Sequence, residues 1–239
     1  MNSIQTIPLL NLLWAFVPVV IVIGLLWHWS TQAGTALYAV LRMLVQLMLI
    51  GYALVWIFGA ERPVVISAVV VAMMLAAAWI ALNPLKDRRR AMYARTVLAL
   101  AAGCLTTLVF VLLAVLDLAP WYEARYAIPL GGMVLANAMT TISLAGERLG
   151  TESARGVPFP EARKRALQTS LIPSLNSLFA VGLVSLPGTM TGQIISGVSP
   201  LIATRYQILI MCMIFGSAGI SVICYLLMMR PGDFGTANT

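Results

Sequence analysis

The sequence predicts an all-α integral membrane protein of about seven transmembrane helices, with its N-terminus outside and its C-terminus in the cytoplasm. Three observations carry that prediction. The 239-residue chain is 61% hydrophobic and 10% charged, with a mean hydropathy of +0.94. Apolar runs of about 20 residues, the length that crosses a hydrocarbon core, recur along it. Its basic residues gather in a few short segments rather than spreading over a surface. A soluble core does not need so much apolar residue. No polar stretch is long enough to fold alone, so residues 1–239 read as a single membrane domain.

The spans follow in order. The first, 8–29, carries Trp14, Trp27 and Trp29 as interfacial anchors. The second is 35–58. The third, 63–82, opens with Pro63 in its first turn and stops at Asn83-Pro84. The fourth is 94–118 and the fifth 125–145. The sixth is 176–198 and the seventh 205–229. The sequence has no Lys or Arg before Arg42, so the first run lacks the basic start of a signal peptide and reads as a retained helix.

Orientation comes from the loops. Lys86, Arg88, Arg89, Arg90 and Arg95 lie between the third and fourth spans. Arg148, Arg155, Arg163, Lys164 and Arg165 lie between the fifth and sixth, and Arg230 follows the seventh. All fall on one side when the N-terminus is outside. The opposite loops, around Glu61-Arg62 and from Asp117 to Arg125, are poor in basic residues. The net charge of +7 is therefore the mark of a cytoplasmic membrane face, and no nucleic-acid partner is expected.

The longest loop is 146–173. Gly150, Gly156 and Pro158 make its first half irregular. Pro160 suits the first turn of a helix and Glu161 the positive end of its dipole. A short amphipathic helix of about three turns follows. Ala162, Ala166, Leu167, Ser170 and Leu171 form its small-apolar face, Glu161 can pair with Arg165 at i,i+4, and Pro173 marks a kink or stop. Such a helix lies on anionic lipid or docks a cytoplasmic partner.

The sixth span is the unusual one. Inside a run long enough to cross a bilayer it holds Ser185, Pro187, Gly188, Thr189, Met190, Thr191 and Gln193. Pro187 cannot donate a backbone hydrogen bond, and its ring would clash with the Leu183 carbonyl in a regular helix. In hydrocarbon a break of this kind persists only where protein or a water-filled cavity covers it. Two readings stay open: a kinked packing helix, or a transport pathway built on two half-helices that hinge at the break. Ser185, Thr189 and Thr191 are the nearest hydroxyls able to satisfy the freed backbone groups. The spacing of Gly188 and Gly192 permits close helix approach.

The fifth span carries Asn137 and Thr141 on one face, and Gly132, Ala136 and Thr140 at the four-residue spacing of a packing face. The second holds the one charge well inside a span, Arg42, with Gln46 a turn further. Arg42 either snorkels to the headgroups or makes a structural hydrogen bond. Met133, Met139, Met190, Met211 and Met213 read as adaptable packing, with a thioether path for a soft metal as the alternative.

Catalytic chemistry lacks parts. The sole histidine, His28, sits at a span end, and no paired carboxylate or Cys/His cluster occurs. Cys104, Cys212 and Cys224 lie in apolar runs without metal or redox spacing. The two lysines, Lys86 and Lys164, do not follow a glycine as a phosphate-binding loop requires. No enzyme, no metal site and no cofactor is expected in this chain.

Several of these stretches resemble the FetB family of ABC-transporter permease subunits, which includes bacterial iron exporters and plant relatives linked to aluminium tolerance. They are Ile128-Pro129, Gly132-Met133 and Asn137-Ala138-Met139, then Ile172-Pro173, Asn176-Ser177 and Val181 to Gly192. Ser199-Pro200, Arg205-Tyr206-Gln207 and, more weakly, Arg42 to Tyr52 complete the set. The resemblance spans roughly residues 37–221.

The resemblance implies a homodimeric permease in the bacterial inner membrane, exporting a metal ion or metal-linked solute. A separate cytoplasmic ATPase would bind the ATP and magnesium. It implies that Gly156, Pro160, Glu161, Ala162, Arg163, Arg165 and Leu167 form the coupling element, since Glu161-Ala162 and Gly156 look like the Glu-Ala-Ala loop of importer permeases. It implies a pathway along Asn137, Thr141, Asn176 and the broken span. Rival readings are a membrane scaffold or receptor without a pathway, and a transporter of an uncharged organic or sugar-type solute. A break that lines a cavity favours transport, and one packed dry favours a scaffold.

Overall fold

A computed structural model describes residues 8–29, 32–59 and 62–234; Glu61 lies outside the described residues. The described residues form helices and the turns between them, without a β-sheet, and the chain divides into two compact units, Met1–Gly59 and Ala60–Thr239. Among the described residues six helical runs are long and apolar enough to cross a membrane: Leu10–Trp29, Ala33–Val55, Pro63–Ala81, Asn83–Val115, Ala124–Ala154 and Pro200–Met228.

The first unit holds α1 (Leu9–Trp14), α2 (Val17–Trp29) and α3 (Ala33–Phe58). Arg42 and Gln46 lie on α3 and both are exposed.

The second unit carries the candidate site. It contains α4 (Pro63–Ala81), α5 (Arg89–Leu100), α6 (Thr106–Phe110), α7 (Ala124–Ala154), α8 (Phe159–Ala180), α9 (Gly188–Ile195) and α10 (Pro200–Met228). Pro63 and Pro200 each occupy a first helical turn, where the missing N–H costs nothing. Two π-type turns, Ala101–Leu105 and Val111–Val115, continue α5 and α6 into one run. Gly103 in the first of them lets that run touch α10. A Cβ there would collide with Ser221 Oγ and sit 2.6 Å from the Ser217 carbonyl oxygen.

The basic segments meet at one end of this unit. Arg95 pairs with Asp233 at 2.5 Å, and Arg88 donates to the Asp233 carbonyl. Leu85 and Phe234 both pack where a side chain at Gly150 would begin. Nearby, the Arg89 guanidinium lies 3.8 Å over the Trp79 ring and its Nε donates to the Trp79 carbonyl at 2.8 Å. Helix α7 has 31 residues, roughly 46 Å at 1.5 Å per residue. It runs from the opposite end into this basic cluster.

Two local expectations are corrected here. The first half of 146–173 is not irregular: α7 continues to Ala154, and only 155–158 turn. The short three-turn helix is the start of the 22-residue α8, which passes through Pro173 to Ala180. Of the small-apolar face predicted for it, Ala162, Ala166 and Ser170 are fully buried, while Leu167 and Leu171 are half-buried. The face is spent on packing within the unit, which is why the helix extends past a proline that would stop an unsupported one.

For the sixth span, left open as a kinked helix or two half-helices, the structure takes the second form. Residues 176–198 are not one kinked helix. They are the end of α8, a non-helical connector over 181–187, and the eight-residue α9. Helix α8 starts at the basic end, whereas α9 borders a cavity with Arg125 and Tyr126 at the start of α7. The chain therefore crosses the unit by α8, connector and α9 in succession, and α10 returns to the basic cluster.

Candidate functional site: a broken crossing between two cavities

The connector is set by backbone chemistry. Val181 is extended, at φ −63° and ψ 129°, and Gly182 takes φ +82°, a region that a side chain strongly disfavours. The freed groups are satisfied locally. The N–H groups of Val184 and Ser185 donate to the Ala180 carbonyl at 2.8 and 3.1 Å, and the Gly182 N–H donates to the Ser185 carbonyl at 3.0 Å. Pro187 is not inside a helix. It caps α9 with φ −59° and ψ 142°, so the expected clash with the Leu183 carbonyl does not arise. Of the three hydroxyls expected to cover the break, Thr191 does bond the Pro187 carbonyl, at 3.2 Å. Thr189 has a different partner.

The Thr189 hydroxyl donates to Gln207 Oε1 at 2.8 Å. Gln207 lies on α10 and is 6% exposed. A cavity of about 490 Å³ lies on one side of this bond, bordered by Val181, Gly182, Pro187, Met190, Thr204 and Gln207. A second, of about 250 Å³, lies on the other, bordered by Arg125, Tyr126, Thr189, Gln193 and Tyr206 among others. The connector and α9 therefore border both cavities. The bond ties the short α9 to α10 at the point where the two cavities approach each other.

The remaining candidates separate. Met190 and Gln193 each line one cavity. Asn137 and Thr141 do not join them: Asn137 Nδ2 donates to Met133 O at 2.9 Å and the Thr141 hydroxyl to Asn137 O at 2.9 Å, both within α7. Asn176 and Ser185 are exposed on the surface of the single chain. The packing glycines also differ from expectation. A Cβ added at Gly188 or Gly192 would meet no atom within 4 Å, and one at Gly132 would meet Met73 of α4 rather than α9. Ala136 is exposed.

At the basic end, Glu152 is the hub. It is 1% exposed and pairs with Arg148 at 2.9 Å, Arg155 at 3.6 Å and Arg165 at 2.8 Å, joining the end of α7 to the start of α8. The expected Glu161–Arg165 pair forms at 3.0 Å. Hydrogen bonds to Glu152 and then Glu161 raise the Arg165 pKa above its ordinary value. Among the residues predicted for coupling, Ala162 is fully buried and cannot meet a partner. Pro160, Glu161 and Arg165 are exposed, Leu167 is half-buried, and the Arg163 guanidinium lies 4.9 Å over the Phe159 ring. Gly156 makes the turn with φ +77°.

Three site residues escape sequence reasoning. Tyr206 and Gln207 are polar groups near the start of an apolar span, a signal that was legible in the sequence. Glu152 is a lone acid four residues after Arg148 and three before Arg155, and that spacing on a helix was the available clue.

The chain matches the family described as "Uncharacterised protein family (UPF0014)" over residues 9–157 and 158–232. It is 34% identical to a UPF0014 membrane protein of Synechocystis over 212 residues, covering 82% of each chain. It is 35% identical to the protein ALUMINUM SENSITIVE 3 of Arabidopsis thaliana, over 85% of this chain and 79% of that one. It is 30% identical to the "probable iron export permease protein FetB" of Escherichia coli, over 80% of this chain and 78% of that one. No solved structure matches it. With its long apolar helices and these relatives, the chain belongs to the UPF0014 family of multi-pass membrane proteins.

Proposed function

We propose that the chain is the membrane permease subunit of an ABC transporter that exports a metal ion or a metal-linked solute. The observation that carries this reading is the broken crossing itself. Its connector and α9 border two cavities, and the Thr189–Gln207 hydrogen bond ties α9 to α10 between them. Irregular backbone at a crossing is stable where it lines a cavity, and broken helices mark substrate sites in transporters. The name of the Escherichia coli relative, an iron export permease, supports the same class.

On this reading residues 1–239 act as one permease domain in the bacterial inner membrane. The basic cluster of 86–95, 148–165 and Arg230 faces the cytoplasm by the positive-inside rule. A separate ATPase binds ATP and magnesium and docks on the turn between α7 and α8. Pro160, Glu161 and Lys164 form its exposed contact surface, and the Glu152 arginine cluster transmits the push. A second copy covers the open glycine face of α9, at Gly188 and Gly192, and the neighbouring Leu183 and Val184, which are 90% and 85% exposed.

Co-purification tests it. The tagged chain, expressed in its native host, should pull down an ABC ATPase. Lys164→Glu should weaken the association while the permease still inserts. A chain that recruits no ATPase would return the scaffold reading to first place.

A further inference from the structure

The smaller cavity differs in chemistry from the larger one. Its polar lining is Arg125 and Tyr126 from the start of α7, Thr189 and Gln193 from α9, and Tyr206 from α10. Two of these groups offer nothing to a ligand. The Thr189 hydroxyl already gives its proton to Gln207 Oε1, and the Tyr206 hydroxyl is buried away from the open space. The other three are uncommitted. Arg125 is exposed, and Tyr126 and Gln193 are half-buried. Among the described residues none of their three side chains has an ion-pair or hydrogen-bond partner.

What these three groups offer is donors. A guanidinium carries five N–H donors, a glutamine amide two and a phenol one. No Asp or Glu lines the cavity, and Glu123, two residues before Arg125, is not part of its lining. The wall therefore carries one uncompensated positive charge and an excess of donors over acceptors. Such a wall repels a cation and suits a negative group with several acceptor oxygens. At about 250 Å³ the cavity has room for several groups the size of a water, which takes about 30 Å³ in the liquid. A small ion with three or four oxygens fits that space.

We propose that this cavity is a binding site for a small oxyanion, a phosphate or a carboxylate. Arg125 pairs with two of its oxygens through the fork of the guanidinium. The Gln193 amide and the Tyr126 hydroxyl donate to the remaining oxygens. The bound ion links the start of α7 to α9, as the Thr189–Gln207 bond links α9 to α10. It thereby holds the short α9 from a second side, at the end of the unit opposite the basic cluster. A lipid headgroup phosphate and a free ion present the same oxygens to these donors.

The test uses the full chain in lipid-free detergent, in a buffer without phosphate or carboxylate. Sodium phosphate, sodium citrate and sodium chloride are titrated at constant ionic strength, followed by calorimetry and by the thermal transition. Phosphate or citrate is expected to bind at one site per chain and to raise the transition, and chloride to do neither. Arg125→Gln should weaken binding about tenfold. Arg125→Lys keeps the charge but loses the fork, and it should weaken binding severalfold, as should Gln193→Leu. Arg205→Gln removes a guanidinium of α10 that lies outside the lining and should bind as the wild type does. Displacement of bound phosphate by phosphatidylglycerol, but not by phosphatidylcholine, assigns the site to a headgroup; displacement by neither lipid assigns it to a free ion, and both outcomes support the site. Oxyanions that bind no more tightly than chloride overturn the proposal. So does a loss in Arg205→Gln equal to that in Arg125→Gln, the mark of a diffuse basic surface. If Arg125→Gln does not fold, wild-type affinity in both Arg125→Lys and Gln193→Leu overturns it instead. No ATPase is present, so failure here leaves the permease reading standing.

Discussion

Thr189 on α9 and Gln207 on α10 are joined by a 2.8 Å hydrogen bond between the two cavities. Helix α9 has eight residues, too few to hold its place by helix propensity alone, so this bond fixes it. Thr189→Val keeps the shape and removes the donor. The buried Gln207 oxygen is then left unsatisfied, at a cost of about 1–3 kcal/mol. The expected outcome is a folded protein with a lower thermal transition, and ATP hydrolysis that persists while transport falls. Equal retention of both activities would show that the bond does not control the pathway.

Connector chemistry makes Gly182 the sensitive position rather than Pro187. Gly182 sits at φ +82°, where a side chain costs about 1–2 kcal/mol. Pro187 sits at φ −59° and ψ 142°, which alanine adopts freely. Pro187→Ala should lower stability by no more than about 1 kcal/mol through unfolded-state entropy and transport near the wild-type rate. Gly182→Val should reduce transport severalfold. Paired flux measurements on the two variants, normalised to protein in the membrane, check the order; the reverse order contradicts it.

The turn between α7 and α8 depends on one buried acid. Glu152→Gln removes the charge that three arginines share, and hydrogen bonds to charged groups contribute about 1.5–3 kcal/mol each. Because Arg165 is 45% exposed, solvent screens its share of this pairing. The Arg165 pKa is raised, so its contribution is complete below the ordinary arginine value and is lost only as pH rises through the raised one. Mild alkali should therefore leave the turn intact, whereas Glu152→Gln should expose 155–158 to limited proteolysis and weaken ATPase recruitment. Unchanged proteolysis of Glu152→Gln would count against the hub.

Close packing is expected to fail at Gly103 and not at Gly188. A Cβ on Gly103 meets Ser221 Oγ and backbone of α10, whereas nothing lies within 4 Å of one on Gly188. Overpacking costs about 1–3 kcal/mol. Gly103→Ala should lower the thermal transition of the monomer. Gly188→Leu should spare it and, if a second copy covers α9, shift the protein to monomer in size-exclusion chromatography with light scattering.

The long apolar helices were legible because a span needs little more than length and hydropathy, and Pro63 marks one start; the seventh span begins at Pro200, ahead of the expected residue 205. The break at 181–193 was legible as a break. Its form was not, because Gly182 and Pro187 are equally compatible with a kinked helix and with an extended connector; the choice is made by backbone bonds back to Ala180. The same limit hid α7 beyond residue 145. Gly146 and Gly150 look like loop residues, but they are small because Leu85, Tyr225 and Phe234 pack against them. Ala162 read as a docking contact because an amphipathic face does not name what it faces. The Thr189–Gln207 bond joins residues 18 apart across a turn, and no local periodicity announces it.

The most direct test fills the larger cavity. Met190 borders it beside the connector, and Met190→Trp adds bulk there while leaving Thr189, Gln207 and the turn between α7 and α8 unsubstituted. The measurement is ATP-driven flux of iron, supplied as ferric citrate, in proteoliposomes holding the permease with its ATPase, recorded beside ATP hydrolysis. Wild type is predicted to transport. Met190→Trp is predicted to hydrolyse ATP and recruit its partner but to pass no more than about a tenth of the wild-type flux, about 1.4 kcal/mol in the barrier. Full flux through Met190→Trp would contradict the claim that the broken crossing lines the pathway.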